Sequence, residues 1–312
     1  MRATPWTVLL VSIAIVSGVG TVAALDKPNA GKPGSVRDEV QRTAETKLQT
    51  GDEAAIRQAF NTLGELGTDA AAQAVVARLR RGLPPQLIEA AIDTLVLLNR
   101  PSLAPPLLEL TQHRRIQIRI KAMQALSALR MKSAEAALLY ALDDPSADVR
   151  VAAVEALATV GGARALPALY TAAERDVPGA WRAVGNIASP SDLKSLLARA
   201  EQSDVSRIRP ALDVLLAREN LPIDAKVRLV QSITGLGSPS ARACLLEWLA
   251  AYKTDGHPRL RKQLFDSIVK LDRENPQLKM AVPAPAPPAP GAPKATRPMP
   301  ADDRMARTEE GR

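Results

Sequence analysis

The sequence predicts an all-α chain in which helix pairs stack side by side into a solenoid. Three observations predict it. Apolar residues fill 46% of the 312 positions, and most of them are Ala and Leu, the strongest helix formers. Aromatic residues are only 3%, and β-branched residues are sparse after residue 40, which leaves little from which to build strands. A seven-residue pattern also recurs down the chain, the mark of units that cannot cover their apolar faces alone.

The chain opens on an expected export leader at residues 1–24. Arg2 supplies a positive start, an apolar run extends from Val8 to Val22, and Val22-Ala23-Ala24 offers small residues for cleavage. The stretch from Thr7 to Leu25 is also just long enough to span a bilayer, so an uncleaved anchor stays open beside the cleaved leader. Membrane contact is expected only in that second case. Residues 25–50 are expected to form a linker, beginning with the spacer DKPNAGKPGS. Residues 277–312 are expected to form an extended tail, because AVPAPAPPAPGAP can neither continue a helix nor bury a core. The charged ending ADDRMARTEEGR is expected to be disordered.

Residues 51–276 carry the repeat. Seven segments align: NTLGELG at 61, DTLVLLN at 93, QALSALR at 124, EALATVG at 155, RAVGNIA at 182, QSITGLG at 231 and DSIVKLD at 266. The first four starting positions, 61, 93, 124 and 155, are almost evenly spaced. Each segment is apolar at its third and sixth places. The clearest unit predicts one helix over Ser146 to Val160 and a second over Ala163 to Glu174. Val149, Ala152, Ala153, Ala156, Leu157 and Val160 fall on one stripe of the first helix. Ser146 and Asp148 favour its start, and Gly161-Gly162 its stop. An additional helix from Val205 to Arg218, with Pro210 in its first turns, interrupts the period, and the spacing does not say which helix it joins.

These units resemble HEAT repeats, specifically the short HEAT-like kind of the phycobilisome lyases. The resemblance rests on DDPSADVRVAAVEALATVGGARALPALYTAAERD at 143–176: Asp, then Val-Arg, Ala-Ala, Ala-Leu, Gly, and a second helix with Ala-Leu-Pro-x-Leu. It is good for 115–142, weaker for 53–112, and decays after 176; in all it covers the span from Asp52 to Asp272. It implies a right-handed superhelix of about seven helix pairs, with second helices lining the concave wall. It is nearly silent on activity, because the family is mostly protein-binding scaffolds with some chromophore lyases.

Stacking turns sequence columns into spatial rows. Arg57, Arg119, Arg150, Arg182, Arg228 and Arg261 hold matching first-helix positions. The resemblance implies a structural ladder of bonds to acidic or carbonyl groups of adjacent units, and an anion-binding stripe is the alternative. Along the second helices the register gives Ala77, Glu109, Tyr140, Tyr170, Ala198 and Glu247. Of these, Tyr140, Tyr170, Glu109 and Glu247 are the candidate partner-binding residues, with the two tyrosines as stacked neighbours. Tyr half buried between helices is the alternative. Arg78, Arg80, Arg81, Arg114 and Arg115, with His113 beside them, form a candidate basic edge patch. They also suit helix C-termini.

Composition narrows the function. Cys244 alone allows no intrachain disulfide framework, and it reads as a buried apolar residue. His113 and His257 with one cysteine make no metal-ligand cluster. Neither histidine has the motif context of a catalytic base, and no glycine-rich phosphate loop is present. No cofactor is expected. The net charge of +8 permits an anionic partner, but the basic residues are not interleaved with aromatic platforms, so nucleic acid is not expected. The expectation is a non-catalytic scaffold or adaptor of a bacterial-type cell envelope, holding a protein on its concave face. The alternatives are a chromophore-lyase-like or chaperone-like enzyme, or a salt-sensitive binder of an anionic polymer or lipid.

Overall fold

The computed structural model describes residues 35–202, 204–252 and 257–279. The expected leader, the first part of the expected linker up to residue 34 and the tail from residue 280 onward lie outside the described residues. Among the described residues there are fifteen α-helices and four short 3-10 turns, and no strand. The helices are α1 (Val36–Thr50), α2 (Glu53–Leu66), α3 (Asp69–Arg80), α4 (Pro85–Leu98), α5 (Ala104–Leu110), α6 (Ile116–Ala128), α7 (Glu135–Ala141), α8 (Ala147–Val160), α9 (Leu166–Glu174), α10 (Ala180–Ile187), α11 (Leu193–Gln202), α12 (Val205–Ala217), α13 (Ile223–Gly235), α14 (Pro239–Ala251) and α15 (Pro258–Glu274).

The helix α1 corrects the linker expected at 25–50. Ser35 and Asp38 form a reciprocal capping box at its start, and Ala44 and Leu48 bury against α2. The 3-10 turn Pro276–Lys279 buries Leu278, so the stack also runs past its expected end at residue 276.

Even-numbered helices pack one on the next from α2 to α14, and odd-numbered helices fill the other side. One continuous apolar core runs through the stack from Ala44 to Leu278. The third places of the aligned segments, Leu63, Leu95, Leu126, Leu157, Val184, Ile233 and Ile268, are all buried in it. Small residues set the spacing: Ala122 and Ala125 of α6 and Ala152, Ala153 and Ala156 of α8 are buried where these helices pack.

Local starts and stops follow side-chain chemistry. Asp52 accepts from Ala55 N at 2.8 Å and Thr68 from Ala71 N at 3.0 Å, each satisfying an otherwise unpaired amide. The α8 start differs from expectation: Ser146 caps nothing with its side chain, and Asp144 Oδ1 instead accepts from Ser146 N at 2.8 Å. Gly161 ends α8 at φ −66, where any residue could sit. Its need for glycine is spatial, since a Cβ there would lie 2.6 Å from the Leu157 carbonyl oxygen.

The added helix α12 packs on α10 and on α14, and therefore occupies the row of even helices. One extra helix reverses the alternation. The aligned segments lie in α2, α4, α6, α8 and α10, but the last two lie in α13 and α15, on the odd side. Gly185 of α10 makes the α10–α12 contact close: a Cβ there would meet Ala211 O at 2.5 Å and Val214 Cβ at 2.9 Å. Arg218, just past α12, closes the same contact by donating to Gly185 O at 3.1 Å and Ala188 O at 2.5 Å.

Two glycines in helices should therefore respond oppositely to alanine. Gly185→Ala should destabilise by about 1–3 kcal/mol, because the methyl group overlaps backbone. Gly235→Ala has no atom within 4 Å of the new Cβ. It should be neutral or stabilise by up to about 1 kcal/mol through helix propensity. Urea unfolding of the two variants checks this; equal effects would contradict the close α10–α12 contact.

Candidate functional site

The odd helices form the wall on which the tyrosine and glutamate candidates were expected. Ala77 of α3, Glu109 of α5, Tyr140 of α7 and Ala198 of α11 are exposed there. Tyr140 stands out, with 70% of its surface open. Glu109 lies 4.0 Å from Arg80 across α3 and α5, with both side chains in solvent.

Tyr170 does not join them. It is 5% exposed, because Gly179 (φ +81) turns the chain into α10 and brings Trp181 against it, with ring centroids 6.2 Å apart. Arg199 of α11 lies over the ring, 3.8 Å from its centroid. Burial pushes the Tyr170 hydroxyl above its ordinary range, against the opposing pull of Arg199. Tyr140 and Tyr170 are thus not paired anchors: one is open and the other is wall structure.

Glu247 is also displaced from its expected row. It belongs to α14, an even helix, because α12 reversed the alternation. Arg209 of α12 bonds it and holds its carboxyl below the usual range. Trp248 Nε1 donates to Asp213 Oδ1 at 2.6 Å, so the pair α12–α14 is pinned by polar contacts as well as apolar ones. Between them Cys244 is buried, and burial pushes its thiol up to about 12. It is not a nucleophile at neutral pH.

The arginine column divides. Arg119 donates to Asp144 Oδ1 at 2.9 Å and to His113 O at 2.9 Å, and Arg150 donates to Asp144 O at 2.7 Å and Pro145 O at 3.1 Å. Both reach back to a carbonyl of the bent loop that precedes their own helix, α6 or α8. Arg57, Arg182, Arg228 and Arg261 are exposed and have no hydrogen bond or ion pair among the described residues. The loops ahead of their helices differ. Moreover, Arg228 and Arg261 stand on odd helices, out of the row of the others. The six-member ladder is therefore two rungs.

A different set of arginines ties the units together. Arg37 donates to Leu66 O at 2.8 Å, Arg78 to Leu48 O at 2.7 Å, Arg100 to Gly67 O at 2.6 Å and Arg207 to Glu174 O at 2.9 Å. Each satisfies a carbonyl at a helix end one repeat away in sequence. These residues share no column, so alignment of the repeats carries no signal for them. Arg242 and Asp272 add a side-chain pair between units, bonded twice at 2.6 and 3.3 Å, and the hydrogen bond from Arg242 lowers the Asp272 carboxyl below its ordinary range.

The basic edge patch shrinks accordingly. Arg78 is engaged by Leu48 O and by Gly82 O at 2.6 Å, and Arg80 faces Glu109. Arg81, Arg114 and Arg115 remain open to solvent. His113 Nδ1 accepts from Arg115 N at 3.1 Å, and burial and then Arg114 lower its pKa below the ordinary range.

Open grooves run between successive odd helices: about 380 Å³ between α1 and α3, 320 Å³ between α3 and α5, and 570 Å³ between α11 and α13. No group of three His, Cys, Asp or Glu among the described residues could hold a metal ion. No described helix is long and apolar enough to cross a membrane.

Residues 104–179 match the family model of HEAT repeats. No curated protein matches the chain. Among solved structures, the chain is similar to the complex of CpcE and CpcF of phycocyanin lyase from Nostoc sp. PCC7120, at 20% identity and TM-score 0.42, over 82% of this chain and 100% of that one. It is similar to a designed armadillo repeat protein in complex with the peptide (KR)4, at 16% identity and TM-score 0.35, over 74% and 99%. It is also similar to an engineered protein at 17% identity and TM-score 0.41, over 75% and 68%.

Asp144 carries two bonds that hold α6 to α8, with its side chain and that of Arg119 each 13% exposed. Asp144→Ala should cost about 2–4 kcal/mol, because it leaves the shielded Nη2 of Arg119 and the Ser146 amide without their acceptor. Arg182→Ala should stay within about 0.5 kcal/mol. Thermal unfolding of both checks the division of the column; equal losses would contradict it.

Asp272 gives a pH signature. Its folded pKa lies below the ordinary 3.8, so its stabilisation is present above that pH and is lost as pH falls through the folded value. The stability difference between the protein and Asp272→Asn should be constant near neutrality and shrink below 3.8. A difference that does not change with pH would show that the pair contributes nothing.

Proposed function

We propose that this helical stack, of which residues 104–179 are HEAT repeats, is a non-catalytic scaffold or adaptor of a bacterial-type cell envelope that holds a protein partner on its odd-helix wall. The observation that carries the reading is the wall itself. Its helices are fixed by the core behind them, yet their outer faces stand apart as open grooves beside an exposed Tyr140. A rigid surface of this kind binds without first being ordered, which lowers the entropy cost of association. Tyrosine is a favoured anchor on such surfaces. The grooves are open, a shape that suits a chain segment better than an enclosed chromophore. The apolar run Val8 to Val22 supports export, and protein rather than nucleic acid suits a surface with few exposed aromatic rings.

The test joins location to surface. A peroxidase fused after Arg312 of the full chain, expressed in its own cells, should label proteins of the envelope. With the captured partner purified, Tyr140→Ala should weaken binding by about tenfold or more. Its folding should change by less than about 0.5 kcal/mol, since the ring is exposed. Labelling confined to the cytosol would overturn the envelope assignment. Full affinity in the variant would remove Tyr140 from the binding surface.

A further inference from the structure

The groove between α11 and α13 differs from the others in its chemistry. Its floor is Leu193, Leu197, Leu229 and Leu236, with the small residues Ala198, Ser232 and Gly235 along the sides. Its charged lining residues are Lys194 on α11 and Arg228 on α13, and no carboxylate lines it. The other odd-helix grooves carry their counter-charge: Glu45 lines the first beside Arg78 and Arg81, and in the second Arg80 faces Glu109.

Neither Lys194 nor Arg228 has a hydrogen bond or ion pair among the described residues, although acids stand close by in sequence. Asp192 is engaged by Ser189 N at 2.9 Å and by Ser189 Oγ at 2.5 Å. Asp224 pairs with Arg259 at 3.2 Å. The two cations are thus left facing an apolar trough with no anion assigned to them among the described residues. The groove lies beside the added helix: α12 packs on α10, and α11 packs more against α12 than against α13.

We infer that this groove docks a short peptide segment of a partner protein, with apolar side chains seated on the four leucines and carboxylates paired to Lys194 and Arg228. The inference rests on the scaffold reading and names the chemistry of its partner. Apolar floor and cationic rim together select an acidic amphipathic segment: burial supplies affinity, and charge supplies orientation and discrimination. A trough of about 570 Å³ between two helices receives a few side chains of a peptide.

A displayed library of short random peptides, panned against the full-length protein, tests this directly. Gly235→Phe blocks the trough; the glycine's Cβ position is open, so helicity and melting should stay near those of the parent. Selected peptides should be net negative with two or more large apolar residues. They should bind Gly235→Phe about tenfold or more weakly, and the exposed double variant Lys194→Glu, Arg228→Glu likewise. Their affinity should fall with salt. Selected peptides that are neutral or basic, or that bind all variants equally, would overturn the inference. So would binding of phosphatidylglycerol vesicles that Gly235→Phe abolishes, which would assign the groove to lipid. If the groove variants keep the Tyr140-dependent partner, this inference fails while the scaffold reading stands. If the partner captured by labelling binds Tyr140→Ala and the groove variants all with full affinity, the odd-helix wall is not its site and both fail.

Discussion

Every helix pair in this chain leaves an apolar face that it cannot cover, and the next pair covers it. The rest of the structure follows from that constraint. It explains why the core is one continuous band from Ala44 to Leu278 and not a set of local clusters. It also explains the alanine-rich stripes, since helices of short units must approach closely to close the band. The same dependence governs the polar groups. Helix ends expose carbonyls that no residue of the same helix can satisfy, and Arg37, Arg78, Arg100, Arg207 and Arg218 satisfy them from a neighbouring unit. Apolar and polar completion both come from next door, so stability is a sum of interfaces along the stack.

One added helix changes what that stack presents. Even and odd helices alternate strictly, so a single insertion must move everything after it to the opposite side. The α12 helix does this, and Gly185 makes room for it. The consequence falls on the odd side, where α11 and α13 are left with a leucine-floored trough between them. A break in periodicity is thus also a break in surface chemistry. The wall before it is punctuated by paired charges, and the wall after it carries Lys194 and Arg228 without partners among the described residues.

Much of the fold was legible in the sequence because periodicity reports directly on burial. The seven aligned segments marked their buried third places correctly, and α8 and α12 lie close to their expected bounds. The first helix was missed because its Pro- and Gly-containing approach, DKPNAGKPGS, drew the linker boundary too far, although Ser35 and Asp38 carried the capping signal. The site was less legible, because a column in sequence becomes a row in space only while the alternation holds. Glu247, Arg228 and Arg261 changed sides with α12. Tyr170 failed for a different reason: its burial depends on Trp181 and Arg199, which belong to later helices and share no register with it. The inter-unit arginines were invisible for the same cause. Arg37 and Arg78 bond backbone carbonyls, which have no residue identity to align, and Arg100 and Arg207 add Asp69 and Asp176 to theirs.

Continuity through the insertion is the central claim, and native-state hydrogen exchange measured helix by helix tests it most directly. If α12 is a member of the even row, the amides of Ile208 to Leu216 should open with those of α10 and α14, in one cooperative step at the same free energy. Early exchange of 205–217 on its own, with α10 and α14 still protected, would show α12 to be an appendage and would contradict the reversal of the rows.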